Sequence, residues 1–200
     1  MAYNVERIAK VALELLNHVG LDGLTTRRLA DKLGVQGPAL YHHFKNKAEL
    51  LGVLATEILR ESLGMIVDHG DWKRWLLDHA VTNRLTLLRY RDSARIVAAS
   101  APTYAMRRKI MPTVAKPLLD AGFKRNDAFE AISLVAAFTL GYVIEEQNDV
   151  MRRYISSVID VDRGFLHCIE ALIAGIEVKY GARAKPRRVA LRVVAGRERR

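Results

Sequence analysis

The chain has 200 residues and a mass of 22.5 kDa, and its composition is 50% apolar and 27% charged. Its one cysteine, Cys168, excludes a disulfide framework and a four-cysteine metal site. We find no run of about 18 uncharged apolar residues, which a bilayer span would need, and no signal-peptide pattern at the N-terminus. These features predict a globular protein of the cytoplasm.

The net charge of +10 is concentrated at the two ends of the chain. Residues 1–47 carry 7 Lys and Arg against 4 Asp and Glu, residues 48–182 carry 17 against 17, and residues 183–200 carry 8 against 1. Clustered positive charge attracts polyanions such as nucleic acid. We therefore expect a basic head, a neutral body and a basic tail that is disordered. The tail is either passively solvated or adds nonspecific affinity for DNA or another anionic partner.

Apolar residues recur at three- and four-residue spacing through most of the chain, which predicts an all-α protein. The first helix should end at Gly20, a residue suited to the left-handed position after a helix. Thr25 should cap a short second helix that Gly34 closes. Pro38 should open a short third helix.

A long fourth helix should start at Asn46, because Asn46 and Glu49 have the spacing of an N-cap and its N3 partner. The head–body boundary, between residues 47 and 48, then lies inside this helix, with no flexible linker. Further helices are expected near 72–88, 93–99, 103–121, 126–147, 150–158 and 162–180, the third of them broken or kinked by prolines.

The stretch Thr25–Lys47 has the features of a helix-turn-helix. Two short helices are joined by a glycine turn, and the small residue Ala30 permits them to cross closely. With Leu40 and Phe44 directed inward, the third helix presents aromatic and imidazole groups outward, where they would reach phosphates and base edges. The alternative is a tight three-helix subdomain with solvated polar faces. The paired histidines do not predict a metal site, since adjacent helical residues project about 100° apart.

These motifs resemble the TetR family of bacterial transcriptional repressors, close to its tetracycline-repressor subgroup. The similarity is carried by GLDGLTTRRLADKLGV, PALYHHFKNKAELL and LLRYRDSARI, and it extends from residue 5 to about residue 180. It implies a three-helix DNA-binding domain followed by a helical ligand-binding and dimerisation domain. It also implies a homodimer that represses from a palindromic operator, places its third helix in the major groove and is released by a small-molecule effector.

The resemblance also implies which residues contact DNA. Gly37 departs from the subgroup, which has a base-reading glutamine there, so a different operator sequence is expected. The DNA-binding candidates are Thr26, Arg27, Pro38, Ala39, Tyr41, His42, His43 and Lys47.

Two polar residues stand out on the fifth helix, where His79 and Asn83 share a stripe with Trp72, Leu76 and Leu87. Buried polar groups are costly without partners. Either these two satisfy each other or a neighbour, or they line an effector cavity. The further candidates for the cavity wall are Val97, Ser100, Tyr104, Met111, Phe138, Tyr142 and Glu145.

The resemblance implies one difference at this cavity. Relatives of the subgroup hold their drug through magnesium, with one histidine as the direct protein ligand. Val97 occupies that position here, while Glu145 matches a glutamate that acts through water. Valine cannot bind magnesium, so we expect a hydrophobic or aromatic effector other than tetracycline, bound with no metal and no cofactor.

The helices near 126–147 and 162–180 are implied to form the dimer interface, the alternative being an intrachain core. Their expected apolar faces comprise Ile132, Val135, Ala136, Leu140 and Val143, and Phe165, Leu166, Ile169, Leu172, Ile173 and Ile176.

Two other classes of protein compete with the repressor interpretation. No nucleophile elbow, phosphate-binding glycine loop or metal-ligand spacing is present, so we expect no enzyme. A helical adaptor that binds protein partners and a TetR-like activator stay open as alternatives.

Overall fold

The computed structural model describes residues 4–67, 70–100, 103–104 and 106–181. In this part of the chain the protein is all-α, as predicted, and no strand occurs. The head consists of α1 (Val5–Gly23), α2 (Thr26–Leu33) and α3 (Gly37–Tyr41). The body follows as α4 (Lys47–Gly64), α5 (Trp72–Leu88), α6 (Ser93–Ala99), a π-helical segment (Met106–Ile110), α7 (Met111–Asp120), α8 (Arg125–Glu146), α9 (Asp149–Val158) and α10 (Val161–Tyr180). The predicted tail, 183–200, lies outside the described residues.

The head helices begin and end where their capping residues predict. The Thr25 hydroxyl accepts a hydrogen bond from the Arg28 backbone N–H at 3.2 Å. Gly34 follows α2 in the left-handed conformation, with φ 68°. Asn46 Oδ1 accepts from the Glu49 N–H at 2.9 Å and caps α4. Local hydrogen-bonding chemistry therefore sets these boundaries.

Two boundaries differ from the prediction. Gly20 is left-handed, with φ 69°, but α1 resumes beyond it for one turn to Gly23. The carboxylate of Asp92 accepts the Leu21 N–H at 2.8 Å, which satisfies a donor freed by the kink. The helix expected over 103–121 is divided into the π-helical segment and α7, and Pro117 lies inside α7 without ending it.

The interior is divided into two apolar clusters. The head-side cluster joins α1–α4 to α6 and to parts of α5 and α8, and the body cluster joins α5, α7, α8 and α10. On α5, Leu76 and Ala80 belong to the body cluster and Leu87 to the head-side cluster. Helix α5 therefore crosses the boundary between the two clusters, which we call the cluster boundary.

Helix α8 is apolar on more than one face. By length and composition alone it is long and apolar enough to span a membrane, yet a core helix passes the same test, and 33% of its most apolar window is buried. It packs against α5, α6, α7 and α10. The outward face retains Leu134, 46% exposed, together with the small residues Ala137 and Gly141.

This arrangement corrects the predicted dimer faces. Seven of the predicted residues are buried within the chain because α8 and α10 pack against α5 and each other. They are Ile132, Val135, Val143, Phe165, Ile169, Ile173 and Ile176. The side of α10 that is left exposed carries Leu166, which was predicted, together with Ala171, Ala174, Gly175 and Val178 and the polar residues His167 and Glu170.

The turn between α5 and α6, residues 89–92, is held by side chains from other helices; we call it the α5–α6 corner. Gln147, just after α8, donates Nε2 to the carbonyls of Leu87 at 3.1 Å and Tyr90 at 2.8 Å. Carbonyls at a helix end have no partner within the helix, so Gln147 supplies one from a distant part of the chain.

We expect Gln147→Ala to lower the free energy of unfolding by about 1–3 kcal/mol, because it removes two hydrogen bonds worth about 0.5–1.5 kcal/mol each. The Leu87 carbonyl keeps the Ser93 hydroxyl as a donor, and the Tyr90 carbonyl keeps the Ser93 N–H. Chemical denaturation of the purified protein measures the change. The matched control is Gln36→Ala, since Gln36 is exposed and makes no capping hydrogen bond. Its effect should stay within about 0.5 kcal/mol. Equal effects of the two substitutions would contradict the assigned role.

Candidate DNA-binding surface and interior site

Helix α3 has one face committed to the head core and one face open to solvent. Leu40 is 3% exposed, and Phe44, three residues beyond the end of α3, is also 3% exposed. Ala39 and His42 are exposed on the opposite face, and His43 is half-buried. The two buried side chains fix the rotation of α3, so its outward groups form a defined surface.

The remaining DNA-binding candidates lie around this surface. Pro38 and Arg27 are exposed, and Thr26 is half-buried at the start of α2. Lys47 Nζ donates to the Leu21 carbonyl at 3.1 Å, so this lysine also braces the end of α1. Tyr41 is the last residue of α3, and its side chain lies outside the described residues.

The second candidate site is inside the body. His79 is 8% exposed and Asn83 3% exposed, so both lie in the interior, as the α5 stripe predicts. Within the described part of the chain, His79 Nδ1, Asn83 Oδ1 and Ser62 Oγ are buried and have no hydrogen-bond partner. Such atoms each cost about 1–3 kcal/mol.

All three atoms belong to residues at the cluster boundary. On α5, Asn83 lies between Ala80 of the body cluster and Leu87 of the head-side cluster, and His79 directly precedes Ala80. On α4, Ser62 follows Ile58 of the head-side cluster and precedes Leu63, which packs on the body cluster. The boundary is therefore an apolar region that contains unpaired polar atoms from two helices.

The other predicted wall residues are divided between the two clusters and the surface. Met111, Phe138 and Tyr142 pack against the body cluster, and Val97 packs against the head-side cluster. Ser100 is half-buried, and its hydroxyl donates to the Ile96 carbonyl on its own helix at 2.6 Å.

Two predicted wall residues lie on the surface of the single chain. Tyr104 is 67% exposed, and its hydroxyl accepts a hydrogen bond from Arg108 at 2.7 Å. Glu145 is exposed near the end of α8. The fold therefore does not bring these two side chains to His79 and Asn83.

A cavity of about 130 Å³ adjoins this region, lined by Leu63, Ile66, Trp75, Thr113, Lys116 and Pro117. The Trp75 ring also stacks on the His79 imidazole, with centroids 5.0 Å apart and an interplanar angle of 11°. Trp75 therefore contacts both the cavity and the first of the unpaired polar residues.

Charge at the cluster boundary is already compensated. Burial lowers the pKa of His79 to about 4, so its imidazole is neutral at pH 7. Arg84 lies next to Asn83 and is fully engaged: it donates to Glu146 at 2.5 and 2.8 Å and to Asp162 at 2.7 Å. The hydrogen bond to Glu146 raises the pKa of Arg84 above its ordinary value.

Three residues that determine the structure around α5 were not identified by the sequence analysis. Ser62 has a detectable signal, because it continues the four-residue spacing of Leu54 and Ile58 on the buried face of α4. Arg84 and Gln147 have none, because their partners lie about 60 residues away in the chain, Glu146 and Leu87 respectively.

We expect acid to destabilise the protein through His79. Its folded pKa, about 4, lies below the unfolded value of 6.5, so between these values only the unfolded chain binds the proton. Stability should fall by about 3 kcal/mol per chain as the pH drops from 6.5 to 4, and show no contribution from His79 above 6.5. His79→Phe should remove this part of the slope. Denaturation curves across this pH range test it, and identical slopes would contradict the assignment.

Comparison with known proteins agrees with this architecture. Residues 8–54 match the family described as bacterial regulatory proteins, tetR family, and residues 67–157 match the tetracyclin repressor-like C-terminal domain. The class D tetracycline repressor of Escherichia coli is 38% identical over 200 residues, covering 90% of this chain and 91% of the relative. A TetR variant from Acinetobacter baumannii AYE in complex with minocycline is 36% identical, with a TM-score of 0.77 and coverage of 92% and 100%.

A class A TetR in complex with 5a,6-anhydrotetracycline and magnesium is also 36% identical, with a TM-score of 0.71 and coverage of 86% of this chain and 96% of that chain. Both domains and nearly the whole length of these relatives are thus represented. The chain belongs to the TetR family and is a transcriptional repressor of the tetracycline-repressor type, not an enzyme.

Proposed function

We propose that this chain acts in the cytoplasm as a homodimer that binds a palindromic operator and releases it when a small-molecule effector enters the body. The observation that supports DNA binding is the solvent-exposed face of α3. Ala39 and His42 are exposed there, while Leu40 and Phe44 fix the helix from behind. This is the geometry that presents a reading helix to the major groove.

The open apolar faces of α8 and α10 support a second copy as partner. Ala137 and Gly141 on α8, and Ala171, Ala174 and Gly175 on α10, are small and exposed, so helices of two subunits can approach closely. Val178 is 83% exposed on the same face of α10. A two-fold dimer would bury this surface and set the separation of the two heads.

The α5–α6 corner supplies a route from body to head. Asn17 of α1 donates to the Arg89 carbonyl at 3.2 Å and accepts from the Arg91 N–H at 2.8 Å. The Tyr90 hydroxyl donates to Glu61 of α4 at 2.7 Å. A displacement of α5 or α6 by an effector would therefore move α1 and α4 together, and ligand and operator would weaken each other's binding by equal factors.

The residues at the cluster boundary do not fit a magnesium ion. The subgroup that the chain resembles uses one histidine as the direct magnesium ligand, and Val97 takes that position here. Divalent cations of this kind favour carboxylates, and Glu146 and Asp162, the carboxylates next to Asn83, are both paired with Arg84. Val97 is apolar, and Glu145 is exposed. Among the described residues, no three His, Cys, Asp or Glu side chains are grouped as a metal site. The proposed effector therefore binds through contacts of its own.

We expect His42→Ala to weaken operator binding about tenfold or more, since one base contact is worth about 1–3 kcal/mol. Duplexes selected by the protein from a random library supply the operator, and fluorescence anisotropy gives the affinity. His18→Ala is the matched control, because His18 is exposed in the same head but lies on α1. Equal losses for both variants, or selected sequences without two-fold symmetry, would contradict the proposal.

Ala174→Arg should convert the dimer to monomers and abolish operator binding, because it places a charge in the small-residue face of α10. Sedimentation equilibrium measures the mass. Ala98→Arg is the control, since Ala98 is exposed on α6 and should leave the dimer intact. A dimer that survives Ala174→Arg would place the interface elsewhere.

A further inference from the structure

The body contains three unpaired polar atoms in an otherwise apolar region. Other buried polar side chains in the described part of the chain have partners: the Thr139 hydroxyl donates to the Val135 carbonyl at 2.8 Å, and the Thr86 hydroxyl donates to Thr82. The contrast singles out Ser62, His79 and Asn83. Native proteins satisfy nearly all such atoms, so three unpaired atoms on the packed helices α4 and α5 indicate a place where a partner group can bind.

We propose that the effector is an uncharged, largely apolar molecule, one or two rings in size at its core, whose hydroxyl or N–H donors pair with Asn83 Oδ1 and His79 Nδ1 without a metal. This inference rests on the proposed function only in taking the cluster boundary as the effector site. It adds the chemical class of the ligand, which differs from the magnesium-bound drug of the class A relative.

The two unpaired atoms on α5 determine whether the ligand must donate or accept hydrogen bonds. Asn83 Oδ1 is a carbonyl oxygen and accepts hydrogen bonds only. His79 is neutral and carries one ring proton; the proposed complex places that proton on Nε2, which makes Nδ1 an acceptor as well. Ser62 Oγ can donate or accept. With this tautomer, a ligand that offers donors satisfies all three atoms, whereas a ligand with acceptors alone satisfies at most Ser62.

The charge of the ligand follows from what surrounds these atoms. Of the buried polar residues in the described part of the chain, Arg84 is the one with a fixed charge, and it is paired with Glu146 and Asp162. The adjoining cavity is also lined by Lys116, which is paired with Asp120. Because these charges already have partners, an ionised ligand at the cluster boundary would be a buried charge without a free counter-ion, which strongly disfavours its binding.

The size and shape follow from Trp75 and the adjoining cavity. The cavity of about 130 Å³ is below the range of roughly 300–1,000 Å³ that drug-sized ligands occupy. Its Trp75 wall stacks flat on His79. The cavity wall does not include His79 or Asn83. In the proposed complex a planar apolar molecule therefore takes one face of this stack and extends its donors along α5 to His79 and then to Asn83, which favours an aromatic core.

The first test uses the ligand-free full-length dimer. His79→Phe and Asn83→Leu replace the unpaired atoms by apolar groups of similar size, and Thr139→Val removes a hydroxyl that is already paired. We expect the first two to raise the Tm by about 2–4 °C, since removing an unsatisfied group is favourable. Thr139→Val should leave the Tm unchanged or lower it. A lowered Tm for both α5 variants would show that these atoms are paired in the dimer and would overturn the proposal.

The second test uses three matched probes in the presence of EDTA. They are 2-naphthol, 2-methoxynaphthalene, which lacks the donor, and naphthalene-2-sulfonate, which is charged. The expected result is at least tenfold tighter binding of 2-naphthol than of the other two, read from thermal shift and Trp75 fluorescence in a Trp72→Phe background. Asn83→Leu combined with His79→Phe should erase this preference.

Absence of 2-naphthol binding, equal or tighter binding of either other probe, or a requirement for magnesium would overturn the inference. Operator affinity is measured in the same samples. If 2-naphthol binds as expected but leaves operator affinity unchanged, the proposed ligand class is supported and the proposed release of the operator by the effector is contradicted. If operator binding is intact and 2-naphthol does not bind, the ligand class alone fails.

Discussion

The α5–α6 corner is the constraint on which the relation between head and body depends. The N–H groups of Arg89 and Tyr90 bond back to carbonyls of α5. The Arg89 and Tyr90 carbonyls and the Arg91 N–H instead bond to side chains from α1 and from the end of α8, namely Asn17 and Gln147. Asp92 adopts a left-handed conformation at φ 59° and bonds across to Leu21. Because buried backbone groups must be paired, these bonds join parts of the fold that are distant in sequence.

Helix α5 carries two different regions of the body. One is held rigidly by ion pairs, and the other contains buried polar atoms without hydrogen-bond partners. Arg84 joins α5 to α8 and α10 through Glu146 and Asp162, and its guanidinium lies 4.8 Å from the Phe165 ring centroid. Removing one partner of such a buried pair is strongly destabilising, so this junction resists rearrangement. His79, one turn earlier on α5, has no comparable bond. Rearrangement is therefore least costly at the cluster boundary.

Sequence analysis was most successful where structure is determined locally. The caps at Thr25 and Asn46 and the Gly34 turn involve neighbours three or four residues away, so their patterns are readable. The burial of His79 and Asn83 was also predictable, since polar residues interrupt an apolar stripe. The dimer faces were not predictable, because α8 and α10 are apolar on several sides. The periodicity does not identify which of these sides packs against other helices of the same chain. Likewise, nothing near Gly20 in sequence predicts that Asp92 would support one further turn of α1.

The free energy needed to change operator affinity is similar to the free energy available from pairing a buried polar atom in the body. A tenfold change in operator affinity corresponds to about 1.4 kcal/mol, and typical couplings between sites are about 1–3 kcal/mol. Pairing one buried polar atom supplies about 1–3 kcal/mol. An effector that satisfies Asn83 and His79 only when α4 and α5 move apart would therefore gain enough differential binding energy to shift the heads.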